Sequence, residues 1–405
     1  KVLSSHGFGK IVEIIEKSQA RQDVDCNTYK RCGGCNLRHV KYEETLKMKQ
    51  NAVQSLVNKT LKNKLQVKET VGMENPLHYR NKAQYPIGIN KQGEPVIGVF
   101  ANRTHEVIPI DNCLIQNKKS EEIAKFIIEF IKEKNISIYD EKTGKGLVRH
   151  IVTKVGIKTG EIMCVIVING HKIPSENELV ENLKTRYPEI KAIVKNINMK
   201  NTNVILGQEN INLYGNGYIE DILGEYKFKI SPLSFYQVNP VQAEKLYNLG
   251  VSMAEITKDD VVFDLYCGIG TISLFMSKFA KKVYGIEIVE EAVKMAKENA
   301  ESNNVSNTEF FAGDVEIVLD DLINNKGIKA DVVMFDPPRK GLDKKSIDNI
   351  LNIRPKKIVY ISCNPATLIR DLADFENEYD VKTIIPVDMF PFTSHIECCS
   401  VLQLK

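Results

Sequence analysis

The feature that most constrains the fold is a regular alternation of short apolar strands with helices that begins near residue 240. The sequence predicts four such strands, at 261–265, 283–287, 331–336 and 357–362, each followed by apolar residues at helical spacing. Strands that alternate strictly with helices form a doubly wound, largely parallel sheet. Two more strands, 381–387 and 398–404, follow each other and predict an antiparallel pair at one edge.

The region before residue 240 has a different pattern. Between residues 78 and 235, successive strands predict a mainly antiparallel sheet, with the segments AQYPIGI, PVIGVFA, HIVTKVGI, EIMCVIVI, KAIVKNIN and NVILG. Apolar spacing predicts helices at 41–63, 119–134 and 175–186, and a single strand is predicted at 9–16. The fold class is therefore α/β, with a C-terminal Rossmann-like domain and a central β-rich α+β domain.

Charge is distributed unevenly along the chain. Residues 1–200 contain 34 Lys and Arg against 22 Asp and Glu, whereas residues 201–405 contain 21 against 30. A basic half attached to an acidic half indicates a polyanionic partner, and nucleic acid is the usual one. The alternative is a lysine-rich, solvated surface.

The sequence has no signal for export or for a membrane. No apolar run approaches the ~20 residues that a spanning helix needs, and the N-terminus lacks the apolar core of a signal peptide. The chain also lacks an initiator Met, so we expect residues upstream of it. Nine cysteines without an export signal favour metal binding or catalysis over disulfides. We expect a cytoplasmic protein, and a monomer.

A glycine-containing turn follows the first of the late strands. In DLYCGIG, Gly268 and Gly270 let a ligand approach the backbone, and Glu287 ends the next strand 23 residues after Asp264, where an acid can bind ribose hydroxyls. The turn has neither a third glycine nor a phosphate-binding lysine. An adenosyl ligand without phosphates, S-adenosylmethionine, therefore fits better than a nucleotide. The alternative is a turn that serves only packing.

Two further motifs end later strands. In DPPRKG, Arg339 stands where methyltransferases of amino groups carry an aromatic residue, which argues against an exocyclic amine as acceptor. In SCNP, Cys363 lies at the carboxyl end of a strand and just before a helix, whose N-terminus lowers the pKa of a thiol. The alternative is a small buried cysteine.

The motifs DLYCGIG, DPPRKG, SCNPATL and DMFPFTSHIE occur in this order, and from about residue 22 onward the chain resembles the RNA 5-methyluridine (uracil-C5) methyltransferase family, the RumA/TrmA group. The resemblance implies that Cys363 is the nucleophile and Glu397 the proton acceptor. It also implies that S-adenosylmethionine is bound by Gln237, Tyr266, Gly268, Glu287, Asp314 and Asp336. From the residues alone, a surface carboxylate before an edge strand is the favoured interpretation of Glu397.

The implied chemistry explains these residue types. Carbon 5 of uracil is a weak nucleophile, and a thiolate that adds to carbon 6 makes it enolate-like. A base must then remove the carbon 5 proton so that the thiolate can leave. A uracil within folded RNA must be extruded to reach such a site.

Three cysteines are crowded near the N-terminus as Cys26-x5-Cys32-x2-Cys35, and Cys113 is a distant fourth. Four thiolates suit zinc or an iron–sulfur cluster. The spacing resembles the branch of the family that carries a [4Fe-4S] cluster, and the resemblance therefore implies an iron–sulfur loop. The remaining cysteines, Cys164, Cys267, Cys398 and Cys399, are predicted to serve packing.

Basic and aromatic residues near this loop are candidate RNA contacts, with solvated surface as the alternative. They are Lys30, Arg31, Arg38, His39, Arg80, Lys82, Tyr85 and Arg149.

The sequence thus predicts three units: a remnant of an N-terminal TRAM (OB-like) domain at 1–20, a central RNA-binding domain with the iron–sulfur loop at 21–238, and a methyltransferase domain at 239–405. The predicted activity is methylation of carbon 5 of a uridine through a covalent cysteine–uracil adduct. The cysteine motif and the segments YRNKAQYP and NINMKNTNVILG resemble the 23S rRNA enzymes. The alternatives are a tRNA enzyme, a cytosine or amine methyltransferase, and an RNA-binding Fe–S protein with a vestigial methyltransferase domain.

Overall fold

A computed structural model describes residues 9, 11–101 and 104–405. Two seven-stranded sheets and a separate two-stranded hairpin form its framework. The strands of the first sheet are β1 Lys82–Ile89, β2 Pro95–Phe100, β3 Val107–Pro109, β4 Val148–Val155, β5 Ile162–Ile168, β6 Ile190–Ile197 and β7 Glu209–Tyr214. The hairpin consists of β8 Ile219–Leu223 and β9 Tyr226–Ile230. The strands of the second sheet are β10 Val261–Leu265, β11 Lys282–Glu287, β12 Thr308–Ala312, β13 Val332–Phe335, β14 Lys357–Ser362, β15 Tyr379–Val387 and β16 Glu397–Leu404.

Nine helices are assigned in the described part of the chain, together with a π-helical turn at Asp321–Asn325. They are α1 Tyr42–Thr60, α2 Lys118–Glu133, α3 Glu176–Arg186, α4 Pro240–Ala254, α5 Thr271–Ser277, α6 Glu290–Ser302, α7 Val315–Asp320, α8 Lys344–Ile353 and α9 Pro365–Phe375. Asn or Asp side chains cap the N-termini of several of them, which satisfies backbone N–H groups that a helix leaves free. These caps are Asn117, Asn239, Asp314, Asp343 and Asn364.

The first sheet has the order β3-β2-β1-β4-β5-β6-β7 and is antiparallel except for the pair β5 and β6. One face packs against α2 and α3. The other face shares a core with the hairpin, α4 and the second sheet. The predicted antiparallel, β-rich region is confirmed.

The second sheet has the order β12-β11-β10-β13-β14-β16-β15. Its first five strands are parallel, and β16 lies antiparallel between β14 and β15. The predicted doubly wound sheet with an antiparallel pair at its edge is confirmed. Apolar residues of α1 share one core with this sheet, α8 and α9, although the sequence places α1 in the central domain.

Two strand predictions are wrong. Residues 9 and 11–16 form no strand, and Val12 and Ile15 are almost fully exposed without a neighbouring strand to pair with. Nearly half of the predicted TRAM remnant at 1–20 lies outside the described residues, because 1–8 and 10 are not described. The segment 203–207 is irregular because the Asn198 amide donates to its carbonyl groups in place of a partner strand.

None of the helices described here combines the length and the apolar character that a membrane span requires.

Candidate active site

A cleft of about 720 Å³ opens along the carboxyl edge of the parallel strands. Ligands of doubly wound sheets bind at this edge because the loops that follow parallel strands converge there. All of the predicted cofactor and catalytic residues line the cleft, although they are far apart in the sequence. They are Gln237, Tyr266, Gly268, Glu287, Asp314, Asp336, Cys363 and Glu397.

The turn between β10 and α5 forms one wall of the cleft. Gly268 and Gly270 have φ of 55° and 81°, which glycine adopts without strain, whereas Tyr266 holds a φ of 66° at some cost. Glu287 is fixed by two backbone donors, Gly268 N at 3.1 Å and Val289 N at 2.9 Å. Its carboxylate therefore faces the cleft in one orientation, which suits a pair of ribose hydroxyls.

The segment that carries Gln237 is held by the first sheet. The Asn81 side chain donates to the Gln237 carbonyl at 3.0 Å. The Lys154 ammonium donates to the carbonyls of Ser231 and Ser234 at 2.7 and 2.9 Å. Burial and the nearby Lys82 lower the pKa of Lys154 to about 7. Lys154 went unpredicted because a lysine within a strand pattern indicates an exposed side chain.

Cys363 and Glu397 lie side by side at the end of β14 and the start of β16. The antiparallel register pairs Ser362 with Cys398, so Cys363 and Glu397 occupy the next opposing positions. The thiol is partly buried, and burial raises its pKa, as do Glu397 and Asp336, while Arg339 opposes this. The expected lowering of the thiol pKa is therefore wrong for the protein without ligands.

Asp336 and Glu397 form a pair of neighbouring carboxyl groups. Burial raises the pKa of Asp336 to about 7. Burial raises the pKa of Glu397 well above its ordinary value, Asp336 adds to this and Arg339 opposes it. Glu397 is 4% exposed, so it is not the surface carboxylate of the alternative interpretation. Two such groups cannot both ionise readily without a cation nearby.

A third buried acid, Asp264, lies near Asp336. One of its oxygens accepts a hydrogen bond from the Ser273 hydroxyl at 2.5 Å, and the other has no partner among the described residues. Burial raises its pKa to about 7, and the neighbouring Asp336 contributes. The cleft thus concentrates negative potential, and these residues fit a cationic cofactor such as S-adenosylmethionine.

Sequence reasoning missed other residues of the cleft. Phe235 lines its mouth and is 71% exposed, and Phe390 lines the side next to Glu397. Arg339, noted only as an unusual residue, lies beside the thiol of Cys363. Phe235 lies two residues before Gln237, and Phe390 lies in the motif DMFPFTSHIE, but an aromatic residue at these places indicates core packing as readily as a site.

The four N-terminal cysteines approach one another without forming a recognisable metal centre. Burial raises the pKa of Cys35 to about 12, and the thiols of Cys113, Cys32 and Cys26 add to this, so their charges interact. Within residues 9, 11–101 and 104–405, no group of three or more Cys, His, Asp or Glu is arranged to hold a metal ion. The predicted [4Fe-4S] loop is therefore not supported by the structure.

The remaining cysteine predictions agree with the structure. Cys164, Cys267, Cys398 and Cys399 are all buried in the hydrophobic cores.

Three of the candidate RNA contacts are wrong. Tyr85 is fully buried. Arg38 is bonded through two nitrogens to Asp25, and Arg149 donates to the carbonyls of Asn198 and Lys200, so both are structural. By contrast, Arg80 and Lys82 have no carboxylate partner in the described residues. They are partly exposed and stay candidates.

Comparisons with known proteins relate the chain to RNA methyltransferases. A family model described as tRNA (Uracil-5-)-methyltransferase matches residues 41–405. An uncharacterized RNA methyltransferase of Clostridium acetobutylicum is 49% identical over 401 residues, which cover 98% of this chain and 87% of that protein. One of Staphylococcus aureus is 43% identical over 406 residues, which cover 100% and 89%.

Among solved structures, the chain is similar to the Pyrococcus abyssi tRNA (uracil-54, C5)-methyltransferase in complex with S-adenosyl-L-homocysteine. The TM-score is 0.76 with 27% identity, and the match covers 96% of this chain and 88% of that chain.

We expect replacement of Asp336 by Asn to flatten the pH dependence of stability. The folded pKa of about 7 exceeds the ordinary value of 3.8, so between these values the folded state holds a proton that the unfolded state releases. The contribution of this proton to the free energy of unfolding is fully present below about pH 4 and is lost as the pH rises through 7. As the pH rises through this range, the free energy of unfolding of Asp336→Asn should therefore increase relative to that of wild type. The increase is at most about 1.4 kcal/mol per pH unit.

Urea unfolding at pH 5 and pH 8 and at constant ionic strength measures this difference. Asp111→Asn is the control, because Asp111 is exposed and Lys125 lowers its pKa, so both states are ionised throughout. If the free energy of unfolding depends on pH in the same way in wild type and Asp336→Asn, Asp336 does not have the raised pKa assigned to it.

Proposed function

The chain belongs to the tRNA (uracil-5-)-methyltransferase family, and from this premise we propose that it transfers a methyl group from S-adenosylmethionine to carbon 5 of a uridine in RNA. The observation that carries the proposal is the position of Cys363 and Glu397. A nucleophile and a carboxylate occupy opposing places in the strand register and line the same cleft as the candidate cofactor residues.

We assign cofactor binding to residues on three loops. Glu287 would bind the ribose, Asp314 the adenine side, and Gln237 and Asp336 the methionine part. When bound, S-adenosylmethionine supplies an electrophilic methyl group on a positively charged sulfur. The unpartnered oxygen of Asp264 and the carboxylate of Asp336 support the choice, because they disfavour an anionic ligand and favour a cationic one.

Cys363 would act first, as a thiolate that forms a bond to carbon 6 of the uracil. The electron pair of the 5,6 double bond then moves to carbon 5, which takes the methyl group. Glu397 accepts the proton from carbon 5, the double bond re-forms, and the bond from sulfur to carbon 6 breaks. The Arg339 guanidinium lowers the pKa of both Cys363 and Glu397, so it favours the ionised form that each role needs.

A cationic rim supports the choice of RNA as substrate. The positive charges of Arg339 and Arg80 both act on His395, which lies close to Glu397 in the chain. Lys49 also acts on His395, but it is buried and paired with Asp388 and so does not belong to the rim. In the described residues, Arg80 and Arg339 have no carboxylate partner, so they are free to contact phosphate. We propose that residues 21–238 supply most of the RNA-binding surface and residues 239–405 the chemistry.

Within RNA, we propose 23S rRNA as the substrate, on the resemblance of the cysteine motif and of YRNKAQYP to the rRNA enzymes. A tRNA substrate is the second candidate, since the structurally similar protein of Pyrococcus abyssi acts on tRNA.

Exchange of Glu397 for Gln should trap the enzyme on its RNA. Cys363 can still attack and carbon 5 can still be methylated, but an amide does not accept the remaining proton, so the thioether persists. Incubation with S-adenosylmethionine and total RNA from a deletion strain should give a band of reduced mobility on denaturing electrophoresis. Cys363→Ala in the same background removes the only thiol that can form it.

Two results would argue against this mechanism. Normal turnover by Glu397→Gln would assign proton removal to another group. Full activity of the single variant Cys363→Ala in a single-turnover assay would exclude the covalent route. Inactivity of the wild-type protein itself would instead favour the alternative of a vestigial methyltransferase domain.

The substrate is identified by mass spectrometry of RNA from a strain that lacks the gene. We expect one or more 5-methyluridines of 23S rRNA to be absent and those of tRNA to be unchanged. Complementation with the wild-type gene, but not with the Cys363→Ala variant, should restore them. Loss of 5-methyluridine from tRNA alone would favour the second candidate.

We also propose that Cys26, Cys32, Cys35 and Cys113 hold a [4Fe-4S] cluster. The support is chemical. The four thiols are partly buried and interact electrostatically, and among them the pKa of Cys35 is raised most. A cationic iron centre would stabilise the thiolate forms that this environment disfavours. Such a cluster would tie residues 26–35 to the loop that precedes α2.

Protein purified without oxygen should then contain about four iron atoms per chain. Cys32→Ala should lose the iron and unfold at lower urea concentration. Cys363→Ala, a cysteine outside the group, should keep both iron and stability. Stoichiometric zinc, or a metal-free protein of unchanged stability, would rule the cluster out.

A further inference from the structure

The loop that leads into Glu397 has a backbone that needs support. We call residues 388–396 the base loop; it connects β15 with β16 and contains Phe390, which lines the cleft. Within it, Phe392 has a φ of 62°, a left-handed conformation that is a rare outlier for a bulky residue. Such a conformation persists only when its surroundings hold it.

The support comes from a segment more than 350 residues earlier in the chain. We call residues 36–42 the clamp segment; it follows Cys35 directly. Leu37 N donates to the Phe392 carbonyl at 2.9 Å. The Phe392 ring lies 4.0 Å from the Arg38 guanidinium and 5.4 Å from the Tyr42 ring, and the residue is 4% exposed. Backbone and ring of the strained residue are thus both held by the clamp segment.

A second contact holds the other end of the base loop. The Asn36 amide group donates to the Ser394 hydroxyl at 2.8 Å and accepts from Ser394 N at 2.8 Å. Ser394 stands three residues before Glu397. Because the contact uses donor and acceptor of one side chain, it fixes the orientation of the loop as well as its distance.

The beginning of the base loop is anchored to the helix that follows. Lys49 on α1 makes a buried ion pair with Asp388 at 2.5 Å, and the Tyr42 hydroxyl donates to the other oxygen at 2.8 Å. The loop is therefore fixed at its start, its middle and its end by residues 36–49, while the cleft lies on its other side.

We propose that the clamp segment sets the position of Glu397 in the cleft, and that Asn36 is a positioning residue for proton removal. The inference rests on the proposed role of Glu397 as the base. A base must lie within hydrogen-bond reach of the proton that it accepts, and displacements near 1 Å slow such a step by up to about a hundredfold. Cys363 directly follows β14 and does not depend on the base loop for its position.

The proposal separates two steps of the reaction. Asn36→Ala should leave the rate of covalent adduct formation unchanged, because Cys363 is unmoved. It should slow resolution of the adduct by about tenfold or more, so that the adduct accumulates during a single turnover. Ser394→Ala, which keeps the backbone N–H but loses the hydroxyl, should have a smaller effect, and the double variant should be no slower than Asn36→Ala.

Asn303→Ala is the matched control. The Asn303 amide makes the same kind of two-point contact, accepting from Lys227 N at 2.8 Å and donating to the Lys227 carbonyl at 2.7 Å, at the end of α6 and outside the cleft. Its adduct kinetics should equal those of wild type. Quench-flow sampling with denaturing electrophoresis measures both steps, and the dissociation constants of S-adenosylmethionine and RNA should stay unchanged.

The proposal is overturned if Asn36→Ala resolves the adduct at the wild-type rate. It is also overturned if formation and resolution slow together, or if Asn303→Ala slows resolution equally, since either result means general destabilisation. Failure of the proposed function looks different: Glu397→Gln would trap no RNA at all. A trapped adduct in Glu397→Gln together with normal resolution in Asn36→Ala would contradict the positioning role of the clamp segment. It would still support Glu397 as the proton acceptor.

Discussion

The candidate site depends on the direction of the strands in the second sheet. Parallel strands β10, β11, β13 and β14 end at one edge, and an antiparallel strand inserted beside them begins at that edge. Cys363 can therefore follow β14 while Glu397 opens β16, and the two reach the same place from opposite chain directions. A parallel β16 would begin at the far edge of the sheet, and its first residue could not meet the thiol. The antiparallel edge strand is thus a requirement of the chemistry as well as a way to end the sheet.

The same edge gathers charges that repel one another. Asp264, Asp336 and Glu397 are each held with a raised pKa, mainly by burial, and Arg339 opposes the rise at Glu397. Without a ligand, the cleft holds protons that these acids would otherwise release. A ligand with positive charge would replace those protons, so we expect its binding and the ionisation of Glu397 to favour each other. The arrangement costs stability in the free protein, as functional sites commonly do.

The sequence predicts the place of a residue when a local pattern determines it, and fails when contacts with distant parts of the chain determine it. Cys363 and Asp336 were predictable because each follows a strand whose period is plain, and Glu397 because its motif resembles a known family. The segments 9–16 and 203–207 resembled strands in composition, but a strand needs a partner, and none of the described neighbours pairs with them. Arg38 and Tyr85 were misassigned to RNA because burial is a property of the fold, and no local pattern separates a bonded arginine from a free one.

Asn36 shows why the rest could not be predicted. An asparagine after a cysteine indicates a turn, and its bonds to Ser394 arise only when the chain closes on itself. The same holds for Asn81 and Lys154, which fix the segment that carries Gln237. The chemistry-bearing residues of the cleft therefore belong mostly to the second sheet and its loops, whereas several of the contacts that support them come from the first 160 residues. It follows that the basic half of the chain has two roles, which cannot be told apart from the sequence alone. We expect it to offer charge for a polyanion, and it also supplies contacts that hold the segments carrying Gln237 and Glu397.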